Sequence, residues 1–130
     1  MKEDVISNAS GKATIILIVD DEPDITTTYS MLFECHGFRV STASNGKSAL
    51  DMIDTVAPDV ILSDYMMPLV NGGELCTTLK RDARWKAIPF ILQSAAFPTK
   101  DVRPPCDLLL QKPVPFDALL KEINRLLDKC

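Results

Sequence analysis

The chain has 130 residues, of which 46% are hydrophobic and 25% are charged, and it carries a formal net charge of -4 at pH 7. This length suits one ordinary domain with its own core, and the composition is that of a globular protein. The acidic balance argues against direct binding of nucleic acid, because proteins that bind through phosphate contacts cluster Lys and Arg.

Short apolar runs alternate with stretches of helical periodicity, which predicts an α/β fold with strands and helices alternating around a parallel sheet. The polar residues 1–12 are predicted to form a flexible N-terminal tail, and residues 13–130 a single domain. The first apolar run is too short for a signal peptide or a membrane span, so a cytoplasmic protein without membrane contact is expected. The predicted strands are Ile15 to Val19, Phe38 to Ala43, Val60 to Ser63, Phe90 to Gln93 and Leu108 to Leu110.

Four helices are predicted from periodicity and from their start and stop signals. Pro23 begins the first helix and Gly37 ends it, while Asn45 and Gly46 begin the second, which ends at Pro58. A third helix runs from about residue 73 to 82. The last helix carries an apolar stripe from residue 116 to 127, which predicts that one face is buried against the sheet.

Every predicted central strand ends in a reactive polar residue, whereas the second strand is read as an outer strand. These polar residues are Asp20 and Asp21 after the first strand, Asp64 after the third, Ser94 after the fourth and Lys112 after the fifth. Taken singly, they also suit ordinary roles as helix-dipole partners, turn residues, caps or solvated charges. Because doubly wound sheets bind ligands at the carboxyl ends of their strands, we expect them to form one site.

Three carboxylates at adjacent strand ends repel one another unless a cation lies among them. Mg²⁺ suits such a site, because it prefers oxygen ligands and is held by one or two carboxylates together with phosphate. A carboxylate oxygen can then act as a nucleophile toward phosphorus. Lys112 and the Ser94 hydroxyl are predicted to stabilise the charge on the phosphoryl oxygens.

The cysteines at positions 35, 76, 106 and 130 form no CxxC motif, and His36 is the only histidine. Neither a zinc site nor a thioredoxin-type redox motif is therefore supported. Reduced thiols are predicted.

From about residue 14 to 127, the chain resembles the receiver domain of two-component response regulators. The resemblance lies in four motifs: Ile18 to Glu22, Ser63 to Pro68 followed by Asn71-Gly72, Ser94-Ala95, and Lys112-Pro113. It implies a flavodoxin-like, doubly wound sheet of five parallel strands in the order 2-1-3-4-5, which is the order of chemotaxis receivers.

The resemblance implies that Asp64 takes a phosphoryl group from a histidine kinase or phosphotransfer protein. Asp21, Asp64 and the backbone carbonyl of Met66 would contact Mg²⁺ directly, and Asp20 through water. Ser94 would follow the phosphoryl group after transfer, and Lys112 would pair with that group, or with Asp64 before transfer. The domain would be a signalling unit, not an enzyme with an external product, and it would act as a monomer or weak dimer through a protein partner that the sequence does not identify.

The chain departs from the family pattern at two places. Leu109 stands where receivers commonly have Tyr or Phe, so an aromatic switch cannot operate there. The crossover from Ser94 to Lys112 is about one helical turn of ~3.6 residues shorter than usual and contains three prolines, so the fourth helix of the family is expected to be shortened or absent. Met66 and Ala96 flank the site without a group that could position water, which predicts slow self-dephosphorylation.

Three alternatives stay open. A pseudo-receiver would keep the fold and bind a partner without phosphorylation; Leu109 and the short crossover favour it, whereas the complete set of acids, hydroxyl and lysine argues against it. A haloacid-dehalogenase-like phosphatase would need a DxD pattern after the first strand, which Asp20-Asp21-Glu22 lacks. A flavodoxin-like carrier would need a phosphate-binding loop where this chain has acids.

Overall fold

The sheet at the centre of the computed structural model has five parallel strands in the order β2-β1-β3-β4-β5. The structure describes residues 13–95 and 106–128. The strands are β1 (Ile15–Val19), β2 (Arg39–Ala43), β3 (Val60–Asp64), β4 (Phe90–Ser94) and β5 (Leu108–Gln111). The predicted fold class and strand order are confirmed, and β2 is an edge strand as its alternating pattern predicts.

Four helices connect or follow these strands within the described residues. They are α1 (Pro23–Cys35), α2 (Gly46–Val56), α3 (Gly72–Lys80) and α4 (Phe116–Asp128). Asn45 caps α2 by accepting a hydrogen bond from the Ser48 amide at 2.8 Å. Asn71 and Glu74 form a reciprocal capping box at the start of α3. The predicted tail, residues 1–12, and the crossover at residues 96–105, where a shortened or absent helix is expected, lie outside the described residues.

The two faces of the sheet bury separate apolar clusters. Successive residues of a strand point to opposite faces, so Leu17 and Val19 lie on one face while Ile16 and Ile18 lie on the other. The first core cluster contains the buried side chains of α2 and α3: Ala49, Ile53, Leu75, Cys76 and Leu79. The second contains those of α1 and α4: Phe33, Leu119 and Ile123. Helices therefore cover both faces, which explains why β1 is apolar throughout and why β3 and β4 each begin with three consecutive apolar residues.

The strand order places the chain reversal beside β1. From β1 the chain moves outward to β2 and then crosses back to β3, on the other side of β1. The carboxyl ends of β1 and β3 are thus neighbours at the point where doubly wound sheets bind their ligands.

Candidate functional site

Three carboxylates meet at the carboxyl ends of β1 and β3. One carboxylate oxygen each of Asp20, Asp21 and Asp64 lies within 4.8 Å of the others, and this is the one such acidic, His or Cys group found in the described part of the chain. Asp20 and Asp64 are buried, whereas Asp21 is exposed. The predicted acids therefore converge on one small region that remains open to solvent on the Asp21 side.

Backbone hydrogen bonds of the sheet hold the two buried acids in place. The Asp20 amide donates to the Ala43 carbonyl at 3.0 Å, which extends the pairing of β1 with β2 by one residue. Asp64 is the last residue of β3, and the next amide, that of Tyr65, donates to the Gln93 carbonyl at 3.0 Å. Both carboxylates thus extend from backbone that is still part of the sheet.

Lys112 brings a positive charge to the same place from the end of β5. Its ammonium nitrogen lies 3.2 Å from Asp64 Oδ1 and 3.6 Å from Asp20 Oδ2. The Lys112 amide donates to the Ser94 carbonyl at 2.9 Å, so β4 positions the lysine. One ammonium group therefore faces the two buried carboxylates and leaves the site with a net negative charge.

The pKa values of the facing groups reflect burial and mutual charge. Burial raises the pKa of Asp64; Lys112 lowers it in part, and the neighbouring Asp20 and Asp21 raise it further. Burial acts to lower the pKa of Lys112, but the charges of Asp64 and Asp20 outweigh it, and the pKa of Lys112 is raised. Burial therefore disfavours the ionised form of Asp64, and the ammonium group of Lys112 offsets this effect only in part.

A buried oxygen of the site lacks a hydrogen-bond donor. Asp20 Oδ1 accepts from the Glu22 amide at 3.0 Å, but Asp20 Oδ2 is buried with no hydrogen-bond partner among the described residues. Lys112, at 3.6 Å, is beyond hydrogen-bond distance from it. An unpaired buried carboxylate oxygen is costly, so an all-oxygen set of this kind suits a hard cation or a water that such a cation holds.

Ser94 and Met66, the other predicted site residues, lie in different environments. Ser94 is the buried last residue of β4, in register with the end of β5. Met66 follows Asp64 by two residues in the loop that leads to α3, and its side chain is exposed. The predicted role of its carbonyl as a metal ligand stays a prediction.

Gly72 lets this loop fold back against Asp64. A Cβ at position 72 would contact the Asp64 carbonyl oxygen and lie 2.6 Å from a methyl carbon of Leu92. The Gly72 amide donates to the Tyr65 carbonyl at 2.9 Å, which closes the loop. The Asn71-Gly72 motif therefore has a steric reason in this chain: only glycine fits at that close approach.

Motif reasoning did not identify a small cavity beside the acids. About 160 Å³ of space lies between the start of α1 and the end of β2, and the side chains around it include Asp20, Asp21, Thr26 and Thr42. No sequence signal points to it, because it arises from the spatial approach of β2 to the start of α1.

Comparisons with known proteins agree with the geometry. Residues 16–124 match the sequence profile of the response regulator receiver domain. The protein PilH of Pseudomonas aeruginosa is 36% identical over 116 residues, which are 86% of this chain and 96% of PilH. The chain spans about half the length of several other curated relatives at 32% to 34% identity.

Solved structures show the same fold. The receiver domain of a histidine kinase from Syntrophus aciditrophicus superposes with a TM-score of 0.84 at 30% identity, covering 90% of this chain and 92% of that one. The response regulator TrrA of Thermotoga maritima, solved in complex with Mg²⁺ and BeF, gives a TM-score of 0.78 at 27% identity, covering 87% and 98%. Within the described residues, no helix has the length and apolar character needed to cross a membrane.

Proposed function

The chain belongs to the response regulator receiver family, and from this premise we propose that Asp64 accepts a phosphoryl group in a site that holds Mg²⁺. The observation that carries the proposal is a buried Asp64 carboxylate with a lysine ammonium at 3.2 Å and two further acids within 4.8 Å. During phosphoryl transfer to Asp64, negative charge spreads over the phosphoryl oxygens. A positive group beside the Asp64 carboxylate, together with acids that can hold a cation, suits such a reaction.

The donor of the phosphoryl group is proposed to be a phosphohistidine of a kinase or phosphotransfer protein. An Asp64 oxygen attacks phosphorus, the phosphorus–nitrogen bond breaks, and the departing imidazole nitrogen takes up a proton. Lys112 pairs with a phosphoryl oxygen, and the Ser94 hydroxyl donates to another. The domain thereby carries a signal and releases no product other than phosphate on hydrolysis. A cytoplasmic location is part of this proposal.

Asp20, Asp21, Asp64 and the Met66 carbonyl are the groups that would hold the ion. Mg²⁺ supplies positive charge that makes a second negative group tolerable beside Asp64. The unpaired Asp20 Oδ2 and the pKa of Asp64, which burial and the neighbouring acids raise, support this, because a bound cation would favour the ionised form of both carboxylates. The TrrA structure with Mg²⁺ and BeF, from a related protein, is consistent with it.

Exposed apolar side chains beside Asp64 support docking of a protein donor. Met66 is 61% exposed and Leu69 is 73% exposed, and both belong to the loop between β3 and α3. Large apolar side chains open to solvent at the rim of a polar site are typical of protein contact surfaces. A second protein that brings its phosphohistidine to Asp64 would cover them.

Phosphorylation by a small acyl phosphate tests the proposal without the unknown kinase. With Mg²⁺, the protein should gain the mass of one phosphoryl group, in a linkage labile to hydroxylamine, and Asp64→Asn should gain none. The matched control is Asp51→Asn, an exposed acid on α2 paired with Lys47, and it should react like the parent. Labelling of Asp64→Asn at the parental rate would refute the assignment of the acceptor.

The pseudo-receiver is the second candidate, and Leu109 is the observation that favours it. Leu109 packs against the first core cluster where many receivers carry an aromatic ring, so the phosphate-linked ring movement is missing. Amide NMR shifts on addition of Mg²⁺ and then beryllofluoride separate the two candidates. Shifts centred on Asp20, Asp64 and Lys112 support phosphorylation, whereas an unchanged spectrum together with no covalent labelling supports the pseudo-receiver.

A further inference from the structure

Two cysteines that are far apart in the sequence are in contact in the structure. Cys76 lies on α3 and is fully buried, while Cys106 lies two residues before β5 and is half-buried. Both belong to the first core cluster, and their thiols are hydrogen-bonded to each other. Neither takes part in the phosphoryl site, so the pair needs its own explanation.

A polar network next to the cysteines holds α3 and the start of β5 together. Lys80, one helical turn after Cys76, donates from its ammonium group to Asp107 Oδ2 at 2.8 Å, and also to the carbonyls of Lys86 and Ile88. The same Asp107 oxygen accepts from the Phe90 amide at 2.7 Å. All three ammonium hydrogens thus have partners. Because Asp107 directly follows Cys106, this network positions Cys106 opposite Cys76.

The two thiols have different surroundings. The hydrogen bond from Cys76 lowers the pKa of Cys106, with further help from backbone hydrogen bonds, although burial opposes it. The same hydrogen bond, together with burial, raises the pKa of Cys76 well above its ordinary range. Cys106 is therefore the more exposed and the more readily ionised of the two thiols, and Cys76 is its buried neighbour.

We propose that Cys76 and Cys106 form a redox-active pair, which hydroperoxides convert into an intramolecular disulfide between α3 and the start of β5. The Cys106 thiolate attacks the peroxide, so that a sulfur–oxygen bond forms, the oxygen–oxygen bond breaks, and the released hydroxide is protonated to water. The Cys76 sulfur then attacks the sulfenic sulfur, a sulfur–sulfur bond forms, the sulfur–oxygen bond breaks, and the departing hydroxide leaves as water with the Cys76 thiol proton. Two thiols and one hydrogen peroxide yield one disulfide and two waters.

This pair stands independently of phosphorylation, since it involves neither the acids nor Lys112. It is consistent with reduced thiols at rest, because the disulfide forms only when an oxidant is present. Oxidation would attach α3 covalently to the polypeptide that enters β5. The disulfide would close a covalent loop from Cys76 to Cys106, and this loop contains β4 and the crossover that follows it.

Hydrogen peroxide in slight excess over the protein provides the test. We expect loss of two titratable thiols, a mass decrease of two hydrogens, a peptide in which Cys76 is joined to Cys106, and full reversal by dithiothreitol. The double variant Cys35→Ser/Cys130→Ser, which leaves only the proposed pair, should behave identically. Oxidation that instead produces an intermolecular dimer, a different pairing, or no disulfide at all would overturn the proposal.

Single variants test the roles of the two thiols and of the network. Cys76→Ser should leave a sulfenic acid on Cys106 that a dimedone probe traps, whereas Cys106→Ser should leave Cys76 unreactive to peroxide. Lys80→Met should slow disulfide formation about tenfold, equivalent to about 1.4 kcal/mol of lost positioning. Lys86→Met is the control, since its side chain is exposed and only its carbonyl takes part. Trapping on Cys76 instead of Cys106 would contradict the assigned order, and an unchanged rate in folded Lys80→Met would contradict the positioning role.

Discussion

Replacing Asp21 with Asn should stabilise the protein without Mg²⁺ and destabilise it, relative to the parent, with Mg²⁺. The Asp21 carboxylate has an oxygen within 4.8 Å of those of Asp20 and Asp64. Two unit charges at that distance repel by about 0.9 kcal/mol in a water-like dielectric, which is the appropriate one because Asp21 is exposed. Two such repulsions give about 2 kcal/mol, and the positive charge of Lys112 offsets part of it. We therefore expect a gain of about 1 kcal/mol in the free energy of unfolding in EDTA.

Mg²⁺ should reverse the order of stability of the parent and Asp21→Asn. A ligand that binds only the folded state stabilises it by RT ln(1 + [L]/Kd), about 2.7 kcal/mol at a hundred times the Kd. The parent should gain this amount, whereas the variant, which lacks one carboxylate ligand, binds the ion more weakly and gains little. The parent then becomes the more stable protein by about 1 to 2 kcal/mol.

Urea denaturation followed by circular dichroism, in EDTA and at increasing Mg²⁺ concentrations, measures both effects. Glu34→Gln is a matched control, because Glu34 is an exposed acid on α1 far from the strand ends that hold the site. It removes one negative charge and should show the parental response to Mg²⁺. The electrostatic reasoning is refuted if Asp21→Asn is less stable than the parent in EDTA, or if its response to Mg²⁺ equals that of the parent.

Three further substitutions test other parts of the site. Gly72→Ala should cost about 1–3 kcal/mol in urea denaturation, because the added Cβ would press on the Asp64 carbonyl; a parental stability would contradict the close approach. Lys112→Met should cost about 3 kcal/mol at neutral pH by leaving buried carboxylates uncompensated. This loss of stability should shrink in acid, because a folded state in which the pKa of Asp64 is raised binds a proton more tightly than the unfolded state does. The exposed control Lys121→Met should show neither effect. Met66→Asn should shorten the lifetime of the phosphorylated protein, because an amide can position water where Met cannot, and an unchanged rate of phosphate release would refute this.

The strands could be predicted closely because burial on both faces leaves a strong sequence signal. The bounds of β1 were predicted without error, and β3 and β4 each extend one residue beyond the prediction, to Asp64 and Ser94. Apolar runs mark where a strand is buried, not where its ladder of hydrogen bonds ends. A polar residue at the strand end still belongs to the ladder, so hydrophobicity alone places the boundary too early.

The convergence of the site could be predicted because parallel strands bring their carboxyl ends to one edge. The details could not, because they depend on distances across the sheet. The sequence does not reveal that Lys112 lies closer to Asp64 than to Asp20, or that Asp20 Oδ2 has no donor. These features follow from the relative positions of β1, β3 and β5, and it is they that indicate a missing positive charge.

Contacts between distant side chains left no local signal at all. Cys76 and Cys106 form no spacing motif, and from the sequence they were predicted to be ordinary reduced thiols. Lys80 and Asp107 are 27 positions apart, and each reads as a surface charge. Their contacts arise only when α3 packs against the sheet beside β4 and β5, so tertiary structure decides them.

The two ends of β5 are held by different groups: the cysteine pair and its polar network lie at the beginning of the strand, and the lysine of the acidic site follows its end. This strand has four residues and is hydrogen-bonded only to β4 in the described structure, so it is held less firmly than β1 or β3, each of which pairs on both sides. Cys106 and Asp107 fix its beginning through α3, and Lys112 fixes its end through the carboxylates. Its three leucines pack against the two core clusters but are only partly buried. The placement of β5 therefore also depends on the polar and sulfur contacts at its two ends, and these contacts change when charge or redox state changes.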